Sequence, residues 1–188
     1  MPDHSVPVST RRYEAYSHQA LKDEVDAGND PGEAGAIGGQ WDELAGRFHE
    51  SAQALTALLE HSREHWSGEG GEALRGVLTQ AARWSGEVAG VSTSVGGSVA
   101  AQAEIAARAK AEMPEPVEYD PAGMIRSAAA SGNLLALAGL PAAMEETKAA
   151  AEAARQKAID VLNARDAALR DAIPEQSFAP PPPLTTRA

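Results

Sequence analysis

Apolar residues return every three or four positions over long stretches of this chain, a pattern that predicts helices, and nothing in it suggests strands. A short helix is expected from about Tyr13 to Val25, where Tyr13, Tyr16, Ala20, Leu21 and Val25 incline to one side. Gly28 to Gly39 reads as a glycine-rich connector, with Asn29-Asp30-Pro31-Gly32 as a turn. From about Gln40 to His65, Trp41, Leu44, Ala45, Phe48, Ala52, Leu55, Leu58 and Leu59 follow one helical face, while Glu43, Arg47, Glu50, Glu60 and Arg63 lie largely off it. A turn at Trp66-Ser67-Gly68 leads into a third helix, from about Glu72 to Glu112, whose stripe is Leu74, Val77, Leu78, Ala81, Trp84, Val88, Val91, Val95 and Val99. Together these two helices predict a long hairpin.

Gly76, Gly86, Gly90, Gly96 and Gly97 interrupt the third helix, and each costs about 1 kcal/mol relative to alanine in a helix interior. Close packing against a neighbouring helix would account for Gly86 and Gly90, and a kink is an equal reading of Gly96-Gly97. Met113-Pro114-Glu115-Pro116 ends the helix, because proline cannot continue it. Asp120-Pro121 reads as an N-cap with proline at the first helical position, opening a fourth helix to about Ser131. Gly132-Asn133 breaks the pattern, and the run Leu134 to Leu140 is apolar on every side. A fifth helix is expected from about Pro141 to Ile173, ended by Pro174, and Pro180 to Pro183 form a polyproline tail. The fold expected is all-α: an elongated bundle of about five helices, with a flexible N-terminus over 1–12, a helical domain over 13–173 and a Pro-rich disordered tail over 174–188.

Composition narrows the function. Of the 188 residues 43% are hydrophobic but only 4% aromatic, so alanine supplies most of the apolar count. Each alanine buries little area, at roughly 25 cal/mol per Å², so a bundle that gains stability from a partner is expected. The net charge of −11 disfavours nucleic acid and anionic membrane surfaces. Without cysteine there are no disulfides, thiolate metal sites or thiol catalysis. No stretch reaches the roughly 20 apolar residues of a membrane span. Arg11-Arg12 is followed by Tyr13-Glu14-Ala15-Tyr16 in place of an apolar run, so neither a general secretory nor a twin-arginine signal is expected.

Candidate chemistry is sparse. His61-Ser62-Arg63-Glu64-His65 matches the H-x-x-E-H zinc-protease pattern in letters, with both histidines facing one way on a helix. A catalytic site also needs a third ligand from a neighbouring element, and no such motif stands in the sequence. The ordinary reading is a histidine pair near a helix C-terminus, where a cation also suits the macrodipole. No G-x-S-x-G elbow occurs, and carboxylate pairs such as Glu145-Glu146 and Asp23-Glu24 read as solvated faces. No enzymatic activity, cofactor or bound metal is expected. Two readings of Leu134 to Leu140 are open: the buried end of a helix, slightly favoured by the residues alone, or an exposed tip kept for a partner. Trp66 likewise either plugs the hairpin end or stands as a recognition group, with Gly68 permitting a positive-φ turn.

Trp41-x-x-Leu44-Ala45, Trp66-Ser67-Gly68, Trp84, the long alanine/valine helix, Met113-Pro114 and Ala130-Ser131-Gly132-Asn133-Leu134-Leu135 carry a resemblance. Over roughly residues 10 to 173 the chain resembles the Trp-x-Gly superfamily of type VII (ESX) secretion substrates, in particular its Pro-Pro-Glu-type (PPE) branch. The resemblance implies a five-helix bundle that pairs with a small helical hairpin, Trp41, Phe48 and Trp84 packing against the partner. It implies that Trp66 and Gly68 lie beside a Tyr-x-x-x-Asp/Glu signal on that partner as a composite export signal. It also implies that Leu134, Leu135, Leu137 and Leu140 form a tip gripped by a cytosolic secretion chaperone, with a secretion ATPase as a further partner. The protein would then be cytoplasmic before export, and secreted or at the cell surface afterwards. Three features depart from the pattern. The Pro-Pro-Glu triplet is missing, and Tyr13, Tyr16 and Tyr119 are followed four places on by Ser17, Ala20 and Gly123, so the chain carries no Tyr-x-x-x-Asp/Glu. It also lacks the partner hairpin that EspB-like relatives carry fused. Either a second gene supplies what is missing, or this chain self-associates, or the protein has another use for the fold. The alternatives are a delivery or adaptor domain of a toxin system, and a metal-dependent hydrolase using His61 and His65.

Overall fold

A computed structural model describes residues 11–27, 30–174 and 177–183. Among them every regular element is helical: a 3₁₀ turn at Tyr13–Ala15, then α1 (His18–Asp26), α2 (Pro31–His65), α3 (Glu69–Glu112), α4 (Pro121–Ala130) and α5 (Leu134–Asp171). The all-α class expected from the apolar periodicity is the one observed. The described residues divide into two compact units, one made of 11–27 together with 105–171, the other of 30–104 with 172–174 and 177–183. α3 contributes to both.

In the first unit the core is built from large side chains. Leu21 and Val25 of α1, Ile159 and Leu162 of α5, and Tyr13 are all but excluded from solvent. Ala109 and Met113 near the end of α3, with Ala158 and Val161, complete the cluster. Fully burying one such leucine or isoleucine contributes roughly 1.5–3 kcal/mol. The expected single helix from Tyr13 to Val25 is instead a 3₁₀ turn and a helix, because the Ser17 hydroxyl accepts from the Ala20 N–H (3.2 Å) and starts α1 afresh. Arg155 of α5 donates to the carbonyls of Glu14 and Tyr16, satisfying the end of the turn. The His18 Nε2–H donates to the Pro114 carbonyl (3.0 Å), and Lys22 pairs with Glu115 (2.8 Å), fastening α1 to the linker after α3.

A polar network lies at the edge of this core. The Tyr13 hydroxyl donates to Asp166 (2.7 Å) and accepts from Arg165 (3.0 Å), which also reaches Glu24 (3.2 Å). Burial, and then the bond to Asp166, push the Tyr13 hydroxyl up to about 12. Burial opposes the charge on Arg165, but hydrogen bonds to Asp166 and Glu24 outweigh it and hold the guanidinium above its ordinary range.

The second unit is assembled from small residues. α2 begins at Pro31, so the segment expected as a glycine-rich connector is helical from there, with Gly28 and Asn29 outside the described residues. The cause is local: the Asp30 carboxylate accepts from the N–H groups of Gly32 (2.9 Å) and Glu33 (3.1 Å), and proline follows at the first helical position. The glycines in this stretch are tolerated partly because one of them is needed. Gly38 is buried against α3, where a Cβ would meet the Gly96 carbonyl at 3.2 Å, and a Cβ on Gly96 would meet the Gly38 carbonyl at 3.1 Å. Gly96 is therefore the point of close backbone approach. Gly86 and Gly90, the expected packing glycines, have open space where a Cβ would sit. With Ala45, Gly46, Ala89 and Thr93 they line an open groove of about 550 Å³ between α2 and α3. Ser62, Ser85, Val88, Ala89 and Ser92 fill most of the remaining buried interior of the hairpin. No helix among the described residues is long and apolar enough to cross a membrane.

Candidate functional site

The turn between α2 and α3 combines a fixed backbone with an uncovered side chain. Trp66 caps α2, its N–H donating to the Ser62 carbonyl (3.0 Å). Its own carbonyl accepts from Arg75 Nη1 (2.8 Å), and Arg75 is held in turn by Glu72 (2.6 Å). Gly68 has φ of +90°, which an L side chain rarely adopts. Gly71 leaves room for the Trp66 carbonyl, since a Cβ there would lie 2.9 Å from that oxygen. Arg75 and Gly71 have no counterpart in the sequence reading: a guanidinium nine positions downstream of a carbonyl leaves no spacing signature.

The indole of Trp66 does not plug the hairpin: it is 52% exposed. A large aromatic side chain left uncovered on a braced turn is a group available to another molecule.

The run from Leu134 to Leu140 is also uncovered. α5 starts at Leu134, earlier than the expected Pro141, because the Asn133 side chain accepts from the Leu135 N–H (3.0 Å) and nucleates the helix there. Pro141 is carried inside the helix. Leu134 and Leu135 are 81% and 83% exposed, Leu137 is exposed and Leu140 half-buried. The slight preference for burial is thus overturned: nothing packs over the first turn of α5 within its unit. Ile125 of α4, in the same unit, is half-exposed as well.

Trp41, Phe48 and Trp84, expected to face a partner helix, are engaged within the second unit. Phe48 meets Trp84 edge to face (centroids 5.8 Å apart), and Trp41 stacks on Phe178 at 6.0 Å. The Trp84 indole N–H donates to the Ala179 carbonyl (3.0 Å). Phe178 and Ala179, expected within a loose tail, therefore touch the hairpin. The sequence reading missed Phe178 as a contact residue, since an aromatic beside a proline run carries no sign of what it will meet.

His61 and His65 stack at 4.4 Å, and His65 Nδ1–H donates to the His61 carbonyl (3.1 Å). With Glu64 they offer ligand atoms within 4.8 Å of one another, all three side chains exposed on one helical turn. A helical histidine pair of this kind can chelate a cation, but among the described residues no His, Cys, Asp or Glu of a second element joins the trio, and all three side chains are exposed, so this donor set does not fit a hydrolytic centre. No protein-family model matches the chain, and no curated protein is significantly similar to it.

Proposed function

We propose that this is a non-enzymatic helical protein that acts by binding other proteins and is exported by a type VII (ESX) route, with Trp66 and Gly68 as its recognition turn. The observation that carries the reading is the Trp66 turn, where Arg75 and Gly68 brace the backbone and the indole stands half in solvent. Such an arrangement fixes the direction of an aromatic anchor before binding, which lowers the ordering cost of association. The partner is a small helical hairpin carrying the Tyr-x-x-x-Asp/Glu that this chain lacks. The exposed leucines at the start of α5 are a separate surface, suited to a chaperone that shields apolar side chains before export.

Comparing export of Trp66→Ala with wild type tests the proposal. The expected result is loss of export with an unchanged circular dichroism spectrum and melting temperature. Undiminished export by an intact fold contradicts it.

A further inference from the structure

Two aromatic residues of the second unit, Trp41 and Trp84, already contact a segment of the chain itself. Trp41 and Phe48 stand on α2 and Trp84 on α3. Residues 177–183, Ser-Phe-Ala-Pro-Pro-Pro-Pro, form no regular element, and Phe178 and Ala179 within them meet Trp41 and Trp84 in two complementary ways. Phe178 stacks on Trp41, ring planes 22° apart, and the Ala179 carbonyl takes the Trp84 indole N–H. Phe48 supports Trp84 from the side, its plane 86° from the indole, which leaves the indole N–H edge free to face the segment. Pro182 is half-buried.

These are the physical components of proline-rich recognition. An extended, proline-stiffened backbone loses little entropy when it docks, its carbonyls have no internal partners, and aromatic grooves with an indole N–H supply both packing and a donor. We propose that Trp41, Phe48 and Trp84 form a binding site for a proline-rich segment led by an aromatic residue, and that the chain's own 177–183 is its resident, displaceable ligand. Among the described residues the hold is light: one ring stack and one indole hydrogen bond, with Phe178 still 45% exposed. Tethering compensates for that weakness, since covalent attachment presents the segment at an effective concentration of roughly millimolar. A free peptide of the same sequence is therefore excluded from the intact chain and admitted once the resident segment lets go. A helix seating on the same three rings must also displace the segment. That consequence rests on the partner reading above, whereas the peptide site does not.

The test uses full-length chains and a fluorescein-labelled Ser-Phe-Ala-Pro-Pro-Pro-Pro peptide. Phe178→Ala, which frees the site, should bind the peptide at least tenfold more tightly than wild type. Adding Trp84→Phe, which keeps a ring and removes the donor, should abolish that gain. The ¹H–¹⁵N indole resonance of Trp84 should move in Phe178→Ala and return towards its wild-type position when peptide is added. Equal binding by wild type and Phe178→Ala overturns the proposal, as does a Trp84 resonance indifferent to Phe178→Ala. These outcomes are independent of export: a Trp66→Ala chain that is exported normally leaves them unchanged.

Discussion

The two units reach stability in opposite ways. Around α1 and α5, Leu21, Val25, Ile159 and Leu162 lose nearly all contact with solvent, and Tyr13 ties the edge of that core to Arg165 and Asp166. Along the α2–α3 hairpin the buried positions are mostly glycine, alanine and serine, while the largest side chains, Trp41, Phe48, Trp66 and Trp84, stay partly in solvent. Large buried side chains give a region stability of its own. Small ones let backbones approach but remove little apolar area from water. The hairpin therefore keeps its large side chains available for contacts from outside its helices, and one such contact, from residues 177–183, is already in place.

The sharpest break in this comparison is expected from Leu162→Ala, which should cost about 2–5 kcal/mol in urea unfolding, since Leu162 is 0% exposed. Next comes the pH dependence of the same core. Tyr13 has its pKa raised from 10.0 to about 12, so its contribution is complete below pH 10.0 and lost as pH climbs through about 12. Wild type should lose about 2 kcal/mol over that window relative to Tyr13→Phe, measured as the difference between the two unfolding free energies at each pH.

Within the hairpin, glycines on one helix should respond with opposite signs. Gly96→Ala places a Cβ 3.1 Å from the Gly38 carbonyl and 3.2 Å from the Trp41 Cβ. It should destabilise by roughly 1–3 kcal/mol. Gly90→Ala meets open space and should stabilise by about 0.5–1 kcal/mol through helix propensity. The smallest effect belongs to Leu134→Ala and Leu135→Ala, each expected within about 0.5 kcal/mol of wild type in thermal melts because both side chains are already in water.

Much of the helical plan was legible because apolar period, caps and prolines agree. Asp120-Pro121 marked the start of α4, and the same Asp-Pro pair starts α2 at Asp30-Pro31. There, glycine density argued for a connector, and the cap prevailed. Helix cost per glycine is local, whereas the close approach of Gly38 to Gly96 depends on residues far apart in sequence, so only the folded hairpin shows what that glycine does. The Trp66 turn was legible as a turn, but not its bracing by Arg75 and Gly71. The exposure of Leu134 and Leu135 was also hidden, because an apolar run looks the same buried or bare. The spacing of His61 and His65 indicates a shared face, and on that face Glu64 joins them, all three exposed.

Native-state hydrogen exchange on the free chain tests the division of stability most directly. The amides around Ala158 to Leu162 should exchange slowest, and those of α2 should open with a free energy lower by at least about 1.4 kcal/mol, a tenfold difference in opening. Protection of α2 equal to or greater than that of α5 would contradict the account.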